Sequence, residues 1–125
     1  MNNTPVNSYR DLIAWQKAMD AVCLTYELTR LLLLEEKYGL TAQMRRCAVS
    51  VPSNVAEGWG RQQGADYLRF LFMARGSAFE LSTQSEICIR LGFDGQWNRI
   101  IHACDEIGRI LNGLMAAVQR SLESS

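Results

Sequence analysis

The segment Tyr38–Arg61, YGLTAQMRRCAVSVPSNVAEGWGR, constrains this chain more than any other. It reads as an amphipathic helix, yet it carries a proline, two serines, an asparagine and a glutamate inside its span. Polar side chains on a helix that packs against others need defined partners, so the rest of the fold must supply them. Met44, Ala48, Val51, Val55 and Gly58 fall on one face, and Arg46, Ser50, Asn54, Glu57 and Arg61 on another. Pro52 has no N–H to donate to the Ala48 carbonyl and crowds it, so a kinked but continuous helix is expected rather than a break and restart. The following GWGRQQG makes a turn. It is no phosphate loop, because no strand precedes it and no Lys-Ser or Lys-Thr pair follows.

The flanking sequence has the same helical period. Ser8 or Asp11 is placed to cap a first helix, along which Leu12, Trp15, Met19, Val22, Tyr26 and Leu33 recur at spacings suited to a bundle seam. A charged break, Glu35 to Gly39, should end that helix, and Thr41 should cap the second. A third helix is expected from about Ala65 to Leu91. Leu68, Phe72, Phe79 and Ile89 form one stripe on it, with Arg75 between the phenylalanines. Tyr67, Leu71, Ala74, Ala78, Leu81 and Cys88 form the neighbouring stripe. An apolar arc that wide predicts contact with more than one helix, in a bundle interior or at a subunit interface. Gly92 closes the third helix and Asp94 is placed to cap a fourth, whose seam runs from Trp97 through Ile100, Cys104, Ile107 and Leu111 to Leu122. The chain therefore reads as all-α, an antiparallel up-down-up-down four-helix bundle forming one domain over 1–125, with helices at about 9–33, 41–60, 65–91 and 95–122.

Composition narrows the function classes. With 48% apolar and 21% charged residues the chain can bury a core. Its net charge of zero lacks the broad basic footprint of a protein that binds nucleic acid through phosphates alone. The N-terminus has no signal-peptide pattern and no apolar run is long enough to span a bilayer, so no membrane is expected and the cytoplasm is the default compartment. Cys23, Cys47, Cys88 and Cys104 fall one on each expected helix, without a CxxC pair, and reduced thiols packed in a core are expected. In an antiparallel bundle these four would spread over roughly 10 Å along the axis. Zinc–sulfur bonds of ~2.3 Å cannot bridge that spread.

Arg75 lies within an apolar stripe and needs compensation for its desolvation. Glu57 on the adjacent helix is the natural carboxylate, with Ser53 and Asn54 completing a buried polar network. The alternative is that Arg75 reaches water and Glu57 pairs with Arg61 at i, i+4. The single histidine, His102, stands with Asp105 and Glu106 and no nucleophile in register. The glutamates do not form the Glu-x-x-His pairs of a di-iron bundle. Neither a metal nor another cofactor is expected, and the sequence points away from an enzyme. Eleven of the thirteen basic residues are arginine. Arg45, Arg46 and Arg61, with Trp59 as a stacking surface, are the candidate nucleic-acid contacts, repeated by symmetry if the chain assembles into a ring. The bland alternative is that Arg45 and Arg46 solvate an exposed face beside Glu35 or Glu36. Trp15, Trp97 and Tyr67 are candidate oligomer contacts, with core packing equally open for the tryptophans.

SYRDLIAWQKAMD, KYGLTAQMRRCAVSVPSNVAEGWGR and YLRFLFMARGSAFELSTQ together resemble the four-helix-bundle proteins encoded by intervening sequences within bacterial large-subunit ribosomal RNA genes. The resemblance spans Ser8 to Gly92. It implies a cytosolic bacterial bundle that forms a homo-oligomeric ring, with five copies, and it brings no catalytic residues. It extends to the accessory variability proteins of diversity-generating retroelements, similar bundles that bind nucleic acid and a reverse transcriptase. Those proteins are strongly basic, whereas this chain is neutral. The function expected is that of a non-catalytic assembly or scaffold protein that meets another protein. The alternative is a nucleic-acid-binding accessory protein.

Overall fold

A computed structural model describes residues 6–61 and 64–124. A 3-10 turn at Tyr9–Asp11 precedes helix α1 (Ile13–Thr29), and a second such turn, Leu34–Glu36, leads into α2 (Leu40–Arg61). Helices α3 (Gly64–Arg90) and α4 (Trp97–Glu123) complete the chain, and there is no strand among the described residues.

Ser8 and Asp11 act together, on the short turn rather than on α1. Ser8 Oγ accepts from the Arg10 amide at 3.0 Å, and Asp11 Oδ2 accepts from the Asn7 and Ser8 amides, which makes a capping box. Helix α1 stops at Thr29, short of the expected 33. Arg45 of α2 decides this end: its Nε donates to Thr29 Oγ1 at 2.9 Å and its Nη2 lies 3.5 Å from the Tyr26 carbonyl. A cation over the last carbonyls favours termination there. Leu33 is therefore outside the helix and exposed rather than on a seam, and Leu34 and Tyr38 stand 84% and 87% exposed. Thr41 does not cap α2; it lies inside the helix and is buried, while Glu36 Oε1 accepts from the Leu40 amide at 3.4 Å. Helix α2 continues through Pro52.

Gly92, with φ at +75°, closes α3: its amide donates to the Ile89 carbonyl and the Phe93 amide to the Cys88 carbonyl, both at 3.0 Å. This is a glycine-terminated Schellman motif. Asp94 caps nothing, because α4 begins only at Trp97, after Gln96, without a side-chain cap.

Neighbouring helices run antiparallel, as paired residue numbers show by rising on one helix and falling on the other. Met44 meets Cys88, Cys47 meets Gln84 and Ser50 meets Ser77 across α2 and α3. Gly64 faces Leu122, Arg75 bonds Asn112 and Phe79 faces Gly108 across α3 and α4. Helix α1 packs on α2 and α4, as does α3, so α1 and α3 sit on opposite corners.

The core is built from unequal contributions. Helix α1 inserts Ala14, Ala18, Ala21, Thr25 and Leu28, and α3 inserts Leu71, Ala74, Ala78, Leu81 and Cys88. Helices α2 and α4 supply Met44, Val51, Val55, Trp97, Ile100, Ile107 and Leu111. The larger α1 seam expected from sequence is mostly on the outside: Leu12 is buried, Trp15 and Val22 are half-buried, and Met19 and Tyr26 are exposed. Interior volume is close-packed, so the large side chains of α2 and α4 leave room on the facing helices for many small residues. The buried hydroxyls of Thr25, Thr29 and Ser85 donate to carbonyls one turn back at 2.7 to 2.9 Å, so each of the three is paired. Gly58 permits the close approach of α2 and α3; a Cβ on it would lie 2.8 Å from Phe70 Cβ and 3.0 Å from Tyr67 Cδ1.

Candidate functional site

The expected buried network of Ser53, Asn54, Glu57 and Arg75 does not form. Glu57 is exposed and pairs with Arg61, Oε1 to Nη2 at 3.1 Å. Asn54 turns back to Ser50, donating to its carbonyl and Oγ, both at 2.9 Å, and Ser53 is exposed. Arg75 donates to Asn112 Oδ1 at 2.8 Å and lies over two rings, 5.0 Å from the Phe72 centroid and 5.7 Å from that of Phe79. The stripe holding Arg75 faces outward, so water, an amide and two ring faces serve a guanidinium that needs no buried carboxylate. The polar contact that does form between α2 and α3 is Ser50 with Ser77, their hydroxyls 2.9 Å apart. Two small hydroxyl residues at an alanine-lined helix contact were the signal for it.

The arginines of α2 have three different surroundings. Arg45 is half-buried, bonded to Thr29 and stacked 4.5 Å from the Tyr26 ring centroid. Arg61 is engaged by Glu57 and the Phe70 ring, 5.2 Å away. Arg46 is exposed. Trp59 is half-buried, edge-on to Tyr67 at 6.4 Å. Only Arg46 of the three thus presents an unengaged guanidinium, and no concentrated arginine surface forms on this helix.

Of the two places open to Trp97, interface or core, it takes the core: it is 1% exposed and its Nε1 donates to the Phe93 carbonyl at 3.0 Å. Its position at the first turn of α4 aims the indole inward, under the chain reversal that Gly92 makes. Tyr67 is half-buried, and burial pushes its hydroxyl up to about 12. Trp15 stands edge-on to Tyr9, 5.5 Å between centroids.

Among the described residues, titratable groups do not assemble into a reactive cluster. His102 is exposed, around a shallow depression shared with Leu24, Arg99, Glu106 and Arg109. Cys23 is exposed, whereas Cys47, half-buried, is 3.7 Å from Glu80 Oε2 and 3.5 Å from Gln84 Nε2. Burial raises the Cys47 thiol, pushes Cys88 up to about 11 and Cys104 to about 12, which makes all three poor nucleophiles. Among the described residues no three His, Cys, Asp or Glu side chains group as metal ligands, and no helix is long and apolar enough to cross a membrane.

The molecule's distinctive surface is apolar. On α3, Phe72 and Phe79 are 52% and 55% exposed, with Arg75 between them and Met73 beside them. On the other side of the bundle a groove of about 330 Å³ runs between α1 and α2, lined by Tyr9, Trp15, Met19, Val22, Val49 and Pro52. Behind both surfaces the buried face is rich in alanine, Ala14, Ala18 and Ala21 on α1 and Ala74 and Ala78 on α3, while Met19, Phe72 and Phe79 stay outside.

The family model for the 23S rRNA-intervening sequence protein matches residues 10–113. No curated protein matches the chain. Among solved structures the chain is similar to a protein of unknown function from the S23 ribosomal protein family of Bacteroides thetaiotaomicron VPI-5482, at 23% identity and a TM-score of 0.75, over 82% of this chain and 98% of that one. That likeness bears on the fold, and the family match spans most of the sequence, helices α1 to α3 entire. The chain belongs to the 23S rRNA-intervening sequence protein family.

Proposed function

We propose that this protein is a non-catalytic scaffold that works as a homo-oligomer, closing into a ring. One observation carries the reading: large apolar side chains are left outside the core in separate places, around Phe72 and Phe79 on α3 and around Met19 of α1 and Val49 of α2. Soluble monomers rarely leave contiguous apolar surface of this kind uncovered. Five copies is the ring size the family resemblance implies. A protein partner met by the assembled ring is favoured over nucleic acid, because Arg45 and Arg61 are engaged within the chain and its net charge is zero.

Light scattering of the purified protein, with and without a mixed RNA and DNA pool at low and then physiological salt, tests this. The expected result is a stable multiple of the 14.1 kDa chain mass in every condition, unchanged by nucleic acid. A monomer at all concentrations overturns the assembly. A salt-sensitive mass increase with nucleic acid, lost in an R46A variant, replaces the scaffold reading with the accessory one.

A further inference from the structure

A third apolar surface lies at one end of the bundle, apart from those along its sides. Helix α1 stops at Thr29, which leaves the leucine run 31–34 in the connection to α2 instead of on a helix seam. The connection between α3 and α4 reaches the same end. Leu31 and Leu33 from the first connection and Leu91 from the second are more than half exposed, and Leu34 and Tyr38 are more exposed still. A cleft of about 220 Å³, lined by Leu31, Leu32, Leu33 and Phe93, joins the two connections into one patch. Leaving so many leucines in water costs stability that a covering surface would recover.

Resting on the ring reading above, we infer that two rings meet face to face through this end, the leucine patch of each copy packing on the same patch of a copy in the other ring across a two-fold axis. Bundles standing side by side in a ring carry the same end on one face, so the patch is repeated there once per copy. Shape, charge and polarity select a second copy as the occupant. A contact between identical surfaces needs a protrusion and a recess on the same patch, since each side must both insert and receive. Leu34 supplies the first, and the cleft beside it the second. The two connections, with Arg90 at the end of α3, carry Arg30, Lys37 and Arg90 against Glu35, Glu36 and Asp94, and none of the six is in an ion pair among the described residues. A rim of both signs in equal number steers no strongly charged partner, and a two-fold contact can match it acid to base on both sides at once. The opposite end of the bundle exposes Arg61, Arg120, Ser121, Glu123 and Ser124. Stacking rings head to tail would set leucines against those polar groups, whereas the two-fold contact sets leucine on leucine and leaves the polar ends in water.

The test is light scattering of the full-length protein beside two variants, L34E with L91E and the neutral L34S with L91S. Both positions are exposed, and far-ultraviolet circular dichroism matching the wild type establishes that each variant folds. The wild type is expected to hold an even number of chains and twice the mass of L34E/L91E, which keeps the single ring. L34S/L91S is expected to fall to the same half mass on dilution, at a concentration where the wild type stays whole. Equal masses for the wild type and L34E/L91E overturn the stack and leave the ring reading intact. In that case flotation of the wild type, but not of L34E/L91E, with phosphatidylcholine–phosphatidylglycerol vesicles assigns the patch to a lipid surface instead. A wild-type dimer that becomes a monomer in L34E/L91E keeps the end-to-end contact and overturns the ring, and a monomeric wild type overturns both.

Discussion

Arg45 and Arg46 are sequence neighbours with opposite surroundings, and their variants should separate accordingly. R45A loses a bond to a buried hydroxyl and a stacked ring, and should destabilise the fold by about 1–2 kcal/mol in urea titration. R45K should recover little of it, since an ammonium cannot lie flat on Tyr26 while donating to Thr29. R46A should stay within about 0.5 kcal/mol of wild type. Buried thiols set the alkaline limit. Cys88 and Cys104 have an ordinary value of 9.0 and are held up at about 11 and about 12, and Tyr67 is raised from 10.0 to about 12. Below the ordinary value all three are protonated in both states and do not make stability vary with pH. Above it the unfolded chain releases protons that the fold retains, so stability should fall as pH rises from 9 towards 12. The urea midpoint should be lower at pH 10 than at pH 8, and less so in C104A measured against its own pH 8 value. Part of this is legible in the residues: the i, i+4 pairing of Glu57 with Arg61 is the alternative the sequence offers to a Glu57–Arg75 network, and core packing is expected for Cys88 and Cys104. The contrast between Arg45 and Arg46 is not, because RR is one dipeptide and the side to which each guanidinium projects depends on helix rotation.

At the scale of elements, the glycines of α2 and α4 distinguish packing from propensity. G58A should destabilise by about 1–3 kcal/mol, because the methyl group enters the space of Phe70 Cβ and the Tyr67 backbone and pushes α2 from α3. G113A meets nothing within 4 Å and should stabilise by up to about 1 kcal/mol through helix propensity alone. Thermal denaturation followed by circular dichroism checks both. The helical period of α2 and α4 identified their buried faces correctly from Met44 to Val55 and from Ile100 to Leu111. On α1 the same rule favoured Trp15, Met19 and Tyr26 over the alanine face that is buried. Period locates a stripe of large residues, but it does not say whether that stripe meets the core or a second surface.

The whole molecule has no net charge, and its outer apolar surfaces face opposite sides. An assembly held by such surfaces should keep its mass, or gain stability, as sodium chloride rises from low levels to ~1 M, since salt screens charge pairs without weakening apolar burial. Sedimentation velocity across that range checks this. Dissociation at high salt would show that charge pairs, rather than apolar side chains such as Phe72 and Phe79, hold the assembly together.

Sequence alone determined the four helices, their order, the glycine-closed turn at Gly92 and the family, because period, turn chemistry and local motifs act over a few residues. It did not determine the end of α1, the partner of Arg75, the burial of Trp97, or which stripe of α1 and α3 faces inward. Those depend on how each helix is rotated about its own axis, and that rotation is set by filling one shared interior volume. Trp97, Met44 and Leu111 occupy it with Leu71 and Leu81, alanines of α1 and α3 complete the fit, and Met19, Phe72 and Phe79 are left on the outside.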